Sequence, residues 1–359
     1  MRVGIVTITN GPCNYGNQLQ NGAVIATLDK MGVKADTLFF VYKAEYLASI
    51  KHKLKNMVFS AFGFGDCLQA RREIAFETFS KKYAKYTKPI KKSVPQKVID
   101  KYDYFICGSD QVWNPSFSTD DLMWNYYLLS FAPDRKRVSF AASIGVSGIP
   151  KEKEDAFVCT LNGYKAISVR EEAGATLIRK MIGRAAEIII DPTLMLTREE
   201  WDKIAQKPKK VNCDKKYVLT YFLGEKSERI SSQIEKLRKK GYDIYNFLDR
   251  SQPDLFTADP AEFVYLISKA SLVLTDSFHA CVFSFIYEKP YLVYAREGKE
   301  NGMLSRIDTL LSKFNMRRKY VDSGLKNELF EHNYLQGKML LNKEREKSIC
   351  FLKKALEIV

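Results

Sequence analysis

His279 is one of only three histidines in 359 residues. It sits in Thr275-Asp-Ser-Phe-His-Ala280, just after the apolar run Ser271–Thr275. With an ordinary pKa of about 6.5, an imidazole at that point can give or take a proton near neutrality. Equally, it can satisfy a hydrogen bond in a crowded turn. A second polar cluster, Gly108-Ser-Asp-Gln-Val-Trp-Asn-Pro115, sets the carboxylate of Asp110 beside Gln111, Trp113 and Asn114. Carboxylate, amides and indole together suit a sugar, although Asp110 in a plain turn would cap backbone donors instead. Arg170 follows the apolar stretch Ala166–Val169 and is suited to a bidentate contact with a carboxylate or phosphate, or to pairing with Glu171 or Glu172. Asn14, Tyr15 and Asn17 offer amide and hydroxyl groups to a sugar, or form a turn that caps a helix.

These residues need a scaffold that brings strand ends together. Ser271–Thr275 reads as a buried strand, Asp276-Ser277 as a helix cap, Phe278–Ile286 as an apolar-faced helix, and Tyr291–Tyr294 as the next strand. That β-α-β unit places His279 at a helix N-terminus, beyond the carboxyl end of a strand. Open α/β sheets bind ligands there, and backbone N–H groups favour anions there. Earlier strands are expected at Val3–Thr9, Asp36–Val41, Tyr104–Cys107, Val138–Ala142, Ala166–Val169 and Glu187–Ile190, with helices between them. The pattern restarts at Tyr217–Phe222 and Asp243–Leu248. Arg306, in the first turn of a helix expected over 305–314, points its charge toward an anion held by the neighbouring turn. The expected fold class is therefore α/β. Residues 1–196 form a first Rossmann-like domain with a basic helical insertion at about 43–100. A linker follows at 197–214, then a second Rossmann-like domain at 215–343 and a terminal helix at 344–359. The first βα turn lacks GxGxxG spacing, which argues against a dinucleotide site.

Lys and Arg outnumber Asp and Glu by 57 to 42, a net charge of +15. Such an excess implies an anionic partner: nucleic acid, an acidic membrane surface or a phosphorylated substrate. No zinc-finger, basic-zipper or RNA-stacking signature supports nucleic acid. Lysines interleaved with apolar residues from Leu47 to Phe62 suit a helix lying on an anionic membrane. The seven cysteines are scattered, without CxxC spacing, and read as reduced thiols of a cytoplasmic protein. The sequence points to no metal, no cofactor, no signal peptide and no membrane span.

Taken together, Asn14-Tyr-Gly-Asn-Gln-Leu-Gln20, Gly108–Asn114, Ser168-Val-Arg-Glu171, Asp191-Pro-Thr193 and Thr275–Ala280 resemble the polysaccharide pyruvyl transferase family over roughly residues 1–315. The resemblance implies two Rossmann-like domains facing a cleft, as in the GT-B architecture. It also implies transfer of the pyruvyl group of phosphoenolpyruvate onto two hydroxyls of one sugar. The product would be a 4,6-ketal on a hexose such as galactose, in capsule or exopolysaccharide synthesis. It makes His279 and Asp110 catalytic, and puts Arg170, Ser277 and Phe278 at the donor. Asn14, Tyr15, Asn17, Gln111, Trp113 and Asn114 fall to an acceptor carried on a lipid diphosphate. The family's Arg-Leu-His segment reads Ser277-Phe-His279 here, so Arg306 or Arg296 is expected to replace the missing arginine. A GT-B glycosyltransferase using a nucleotide sugar, or a non-catalytic anion- or sugar-binding protein, are the alternatives.

Overall fold

The computed structural model describes residues 1–9, 13–41, 43–63, 65–117, 120–296, 302–326, 328–331 and 333–358. Residues 10–12 of the glycine-containing turn expected over Asn10–Gly16, and 297–301 of the polar loop expected over Arg296–Gly302, lie outside them. Six strands of the first half are β1 (Arg2–Val6), β2 (Lys34–Thr37), β3 (Tyr104–Cys107), β4 (Arg137–Ser139), β5 (Ser168–Val169) and β6 (Glu187–Ile188). The first four make a parallel sheet in the order β2-β1-β3-β4. Bridges Val138–Ala166 and Ala142–Val169 extend it to the parallel pair β5-β6. The second half has β7 (Tyr217–Tyr221), β8 (Asp243–Asn246), β9 (Leu272–Thr275) and β10 (Tyr291–Val293), all parallel in the order β10-β9-β7-β8. β3, β7 and β9 are buried at every position, as strands covered on both faces by helices must be. The architecture is α/β: two Rossmann-like units facing one another.

The strand orders decide where the site lies. In the first sheet the chain passes from β1 to β2 on one side, and only later to β3 on the other. The crevice therefore opens between the loops that follow β1 and β3. In the second sheet the corresponding crevice lies between the loops after β7 and β9. Asn14–Asn17, Gly108–Asn114 and Asp276–His279 belong to these loops or to the helix starts beside them.

A dry junction joins the halves. The Tyr15 ring is fully buried, stacks on Phe263 with centroids 4.3 Å apart, and touches Phe76 and Phe247 at 4.8 and 5.2 Å. Its hydroxyl donates to the Ala258 carbonyl at 2.9 Å. The basic insertion is a helical hairpin, Lys43–Phe62 and Cys67–Tyr83. From its second helix the buried Arg72 donates to the carbonyls of Phe247 and Phe256, and its guanidinium packs on the rings of Tyr15, Phe76 and Phe256. Segment 197–214 holds a short helix, Arg198–Asp202, closed by a Thr197/Glu200 capping box, with Trp201 buried edge-on against Phe283. The last helix is Leu335–Ala355, longer than the periodicity suggested. Gly337 disguises its first turns; a Cβ there would come within 3.0 Å of the Phe314 carbonyl oxygen, so the helix packs closely at that point. This helix runs back to the first half, where Arg345 donates to the carbonyls of Leu194 and Leu196 at 2.7 and 2.8 Å.

Candidate active site

Strand ends of both halves deliver one buried cluster: Asp110, Arg170, Glu171, Asp191, His279 and Arg306. Gly108, at φ +117°, turns the chain after β3; a Cβ there would sit 2.4 Å from the Phe140 carbonyl oxygen, so only glycine fits. Asp110 follows with φ +66°, and its carbonyl oxygen accepts from Ser143 N at 2.9 Å. Asp191 opens the turn after β6 and caps it, taking the Thr193 N–H at 2.9 Å and the Thr193 hydroxyl at 2.6 Å on Oδ1. Its other oxygen faces Arg170 and the Ser109 hydroxyl, 2.7 and 3.1 Å away.

Arg170 is held by carboxylates. Its side chain is 1 % exposed. Nη1 donates to Asp191 at 2.7 Å, Nη2 to Asp110 at 3.2 Å, and Nε lies 3.8 Å from Glu171, while the Phe278 ring lies 4.6 Å beneath the guanidinium. Glu171 is itself fixed by the Ile144 N–H at 2.8 Å. The expected bidentate fork for a donor is therefore spent inside the protein. In this structure Arg170 orients Asp110 and Asp191. Burial works against both acids, yet Arg170, His279 and Arg306 hold Asp110 below the usual carboxylate range. For Asp191 burial is outweighed by His279, Arg170 and the Thr193 donors, which bring it to about 2.

His279 lies in the first turn of the helix Phe278–Ile286, 7 % exposed, with Nε2 3.8 Å from Asp191. Its ring packs on the backbone of Gly16, where a Cβ would fall 1.8 Å from Nδ1. The glycine of the first helix is thus the seat of the histidine from the other half. Burial lowers the imidazole pKa below 6.5, against the pull of Asp191 and Asp110, so the ring is neutral at pH 7. Arg306, 7 % exposed, is lowered by burial and by Arg170 to about 10, and remains charged. Arg296 is anchored elsewhere: Nε donates to Asp276 at 2.9 Å, and Asp276 also takes the N–H groups of Leu223 and Gly224 at 2.7 and 2.8 Å. Of the two candidates for the missing arginine, Arg306 is the one that joins the cluster. Ser277 N donates to the Thr275 hydroxyl at 2.9 Å, and its side chain makes no capping hydrogen bond.

The expected acceptor set divides. Asn17 reaches Asp110, Nδ2 to Oδ2 at 3.5 Å, and Asn14 caps its helix by accepting from Asn17 N at 3.2 Å. Gln111 accepts from Asn114 at 2.9 Å, and Asn114 accepts from Ser116 N at 3.0 Å, so both brace the loop. Trp113 is fully buried edge-on against Phe157 and Tyr164, and Nε1 donates to the Tyr127 carbonyl at 3.3 Å. It is a core residue, not a sugar platform. Tyr15, buried in the interdomain junction, is corrected likewise. Asp191, Glu171 and Ser109 were missed as site residues, although Asp-Pro-Thr after a strand was a legible cap. A pocket of about 490 Å³ lies between the helices Glu172–Ile182 and Gly302–Lys313, lined by Glu172, Ser305, Asp308, Thr309, Ser312 and Lys313. Among the described residues no group of three or more His, Cys, Asp or Glu is arranged to hold a metal, and no helix is long and apolar enough to cross a membrane.

Two parallel α/β units thus hold a buried arginine–carboxylate–histidine cluster between them. The chain belongs to the polysaccharide pyruvyl transferase family, whose model matches residues 14–298. No curated protein matches it. Among solved structures it is similar to the UDP-GlcNAc 2-epimerase of Neisseria meningitidis bound to UDP-GlcNAc, at 14 % identity over 99 % of this chain and 100 % of that one, TM-score 0.44. It is also similar to a putative Listeria monocytogenes UDP-N-acetylglucosamine 2-epimerase, at 10 % identity over 95 % and 94 %, TM-score 0.48. An Anabaena protein, HepE, in complex with UDP and glucose, has 11 % identity over the whole of both chains, TM-score 0.47.

Proposed function

We propose that this protein transfers the pyruvyl group of phosphoenolpyruvate onto two hydroxyls of a hexose, closing a cyclic ketal during surface-polysaccharide assembly. The observation that carries the reading is one buried cluster that holds Arg170 and His279 against Asp110 and Asp191, with the buried Arg306 acting on the same groups. Burial and then Arg170 lower Arg306, against the pull of Asp110 and Glu171, and a bound dianion would offset the cost of its charge. The helix N-terminus at Phe278 adds N–H donors to the same place.

In this reading the donor's anionic groups lie against Arg306 and the helix start. Their charge raises the His279 pKa, and Asp191 supports the imidazolium. His279 then gives its proton to the methylene carbon of the donor, which makes C2 electrophilic. One sugar hydroxyl forms the first C2–O bond, and its proton passes to a neighbouring base, with Asp110 or the now neutral His279 in place. The C2–O bond to phosphate breaks and the second hydroxyl closes the ring. One hydroxyl proton ends on the new methyl group and the other on the released phosphate.

The test is incubation with phosphoenolpyruvate and hexose acceptors, following inorganic phosphate and the ketal methyl signal by NMR. Phosphate release with equimolar ketal is expected, as is thermal stabilisation by phosphoenolpyruvate. Stabilisation by nucleotide sugars but not by phosphoenolpyruvate overturns the reading in favour of glycosyl transfer. Sugar binding without turnover of either donor leaves a binding protein.

A further inference from the structure

The helix Lys43–Phe62 is amphipathic in an unusual way. Among its described residues polar side chains meet the helix Cys67–Tyr83: His52 and Asn56 each reach Glu73 at 2.6 Å, and Asn56 is 7 % exposed. Its outer face is apolar and basic. Leu54, Met57 and Val58 are 60, 62 and 49 % exposed, and Lys51 and Lys55 beside them are exposed as well. Lys51, Leu54, Lys55 and Val58 recur at i, i+3, i+4 and i+7, which puts them on one stripe. The whole helix carries four lysines against one glutamate. The side chains of Lys53 and Phe62 lie outside the described residues.

We infer that this face docks on an anionic lipid bilayer, with Leu54, Met57 and Val58 among the head groups and Lys51 and Lys55 against lipid phosphates. Charge decides for this occupant over a second copy of the chain. The patch is basic on a chain of net charge +15, so two copies would bring like charges together, while an anionic leaflet attracts each lysine. Single apolar residues on a surface are ordinary, but three neighbours flanked by lysines match an interfacial helix. Position adds to this. The hairpin leaves the carboxyl end of β2, the end of the sheet where the cluster lies, and its second helix inserts Arg72 at the domain junction. A membrane under this face would lie on the cleft's end of the molecule. Resting on the transferase reading, this points to an acceptor carried on a lipid diphosphate at that surface.

Flotation of the full-length protein with vesicles tests the inference. Phosphatidylcholine vesicles are compared with phosphatidylcholine–phosphatidylglycerol vesicles, at low ionic strength and in molar salt, where the Debye length is about 3 Å. Binding is expected to the anionic vesicles alone, and to disappear in salt. K51E/K55E should lower the partition coefficient at least about twentyfold, since each lysine contributes about a factor of five. L54S/M57S/V58S should lower it about tenfold or more. These positions are exposed, so both variants should keep the wild-type thermal midpoint and, with a water-soluble acceptor, wild-type transfer. Absence of binding to anionic vesicles at low salt overturns the inference, as does binding that neither variant weakens. A dimer in sedimentation that L54S/M57S/V58S dissolves also overturns it, since a second copy then covers the face. Flotation and transfer are read separately, so either proposal can fail alone.

Discussion

Arg170 and Arg306 differ in what surrounds them, and the difference assigns their work. Arg170 has its charge met within the protein by Asp191 and Asp110. Lysine would keep the charge but not the planar fork that meets both carboxylates in this buried site, so Arg170→Lys is expected to lower the thermal midpoint and kcat together. Arg306 is lowered by burial and by Arg170, so an incoming anion is favoured beside it. Arg306→Gln should raise the donor's Kd roughly tenfold to a hundredfold, the scale of one or two lost charge-assisted hydrogen bonds. Arg296→Gln should raise it much less. The reverse order in calorimetric titration would place the donor against Arg296. His279→Gln should cut kcat about a hundred- to ten-thousandfold with little change in donor affinity, and near-wild-type turnover would remove His279 from the chemistry. The same variant reports on pH. Because the folded His279 pKa lies below 6.5, the protein keeps its full stability above about that pH. It loses stability as pH falls, because the unfolded chain then binds the proton more readily. Urea midpoints between pH 7 and 5 should fall further for wild type than for His279→Gln; parallel curves would contradict the depressed pKa. The stabilisation from Asp191, held at about 2 against 3.8, fades only below about pH 4, outside that window. The placement of Asp110, Arg170 and His279 in one cluster was readable in sequence, because charged residues after apolar runs mark strand ends. Burial was not readable. Nothing in Gly108–Asn114 distinguishes an indole facing a sugar from one facing Phe157, and only tertiary packing decides it.

At the scale of elements, the β-strands and the unit Ser271–Tyr294 were legible because buried parallel strands leave continuous apolar runs. Their ends were read too long: β1 stops at Val6, not Thr9, and β2 runs Lys34–Thr37 rather than Asp36–Val41. Beyond β2 the buried Leu38 and Phe40 continue the pairing only through isolated contacts, Phe40 as a parallel bridge to Ile90, so the apolar run outlasts the strand. The insertion was readable as basic and amphipathic, but not as a hairpin that clamps both halves. That role rests on Arg72, whose nominal place is a charge run and whose actual place is 3 % exposed among rings and carbonyls. Arg72→Met should lower stability by about 2–4 kcal/mol, since the carbonyls of Phe247 and Phe256 lose a charged donor in a dry site. A surface-like change within about 0.5 kcal/mol in chemical denaturation would show that water replaces it. Gly16→Ala belongs to the same scale. Its methyl would overlap the His279 ring, so activity should fall with a smaller loss of stability than for Arg72→Met.

For the whole molecule, the question is whether two Rossmann-like units behave as two bodies. Interdomain contacts usually resemble transient interfaces, and relative motion is the default unless the contact is large and apolar. Here one apolar core runs without a break from Val3, Leu19 and Phe76 through Tyr15 to Phe247, Phe263 and Phe283. The helix Leu335–Ala355 adds a second tie, through Arg345 and through Lys347, which donates to the Ile188 carbonyl at 2.8 Å. His279 of one half is also seated on Gly16 of the other, so the cluster exists only while the halves stay in register. Thermal unfolding of the wild type should therefore be a single transition with agreeing calorimetric and van't Hoff enthalpies, although two-unit chains of this length often separate. Tyr15→Ala removes the ring that fills the junction and leaves a cavity between the sheets. The expected cost is about 3–5 kcal/mol, with the enthalpy ratio departing from one as the halves begin to melt separately. Activity should fall with it, because Gly16 moves away from His279. Two resolved transitions in the wild type would break the link between the shared core and the preformed site. So would a Tyr15→Ala protein that still melts as one body and still turns over.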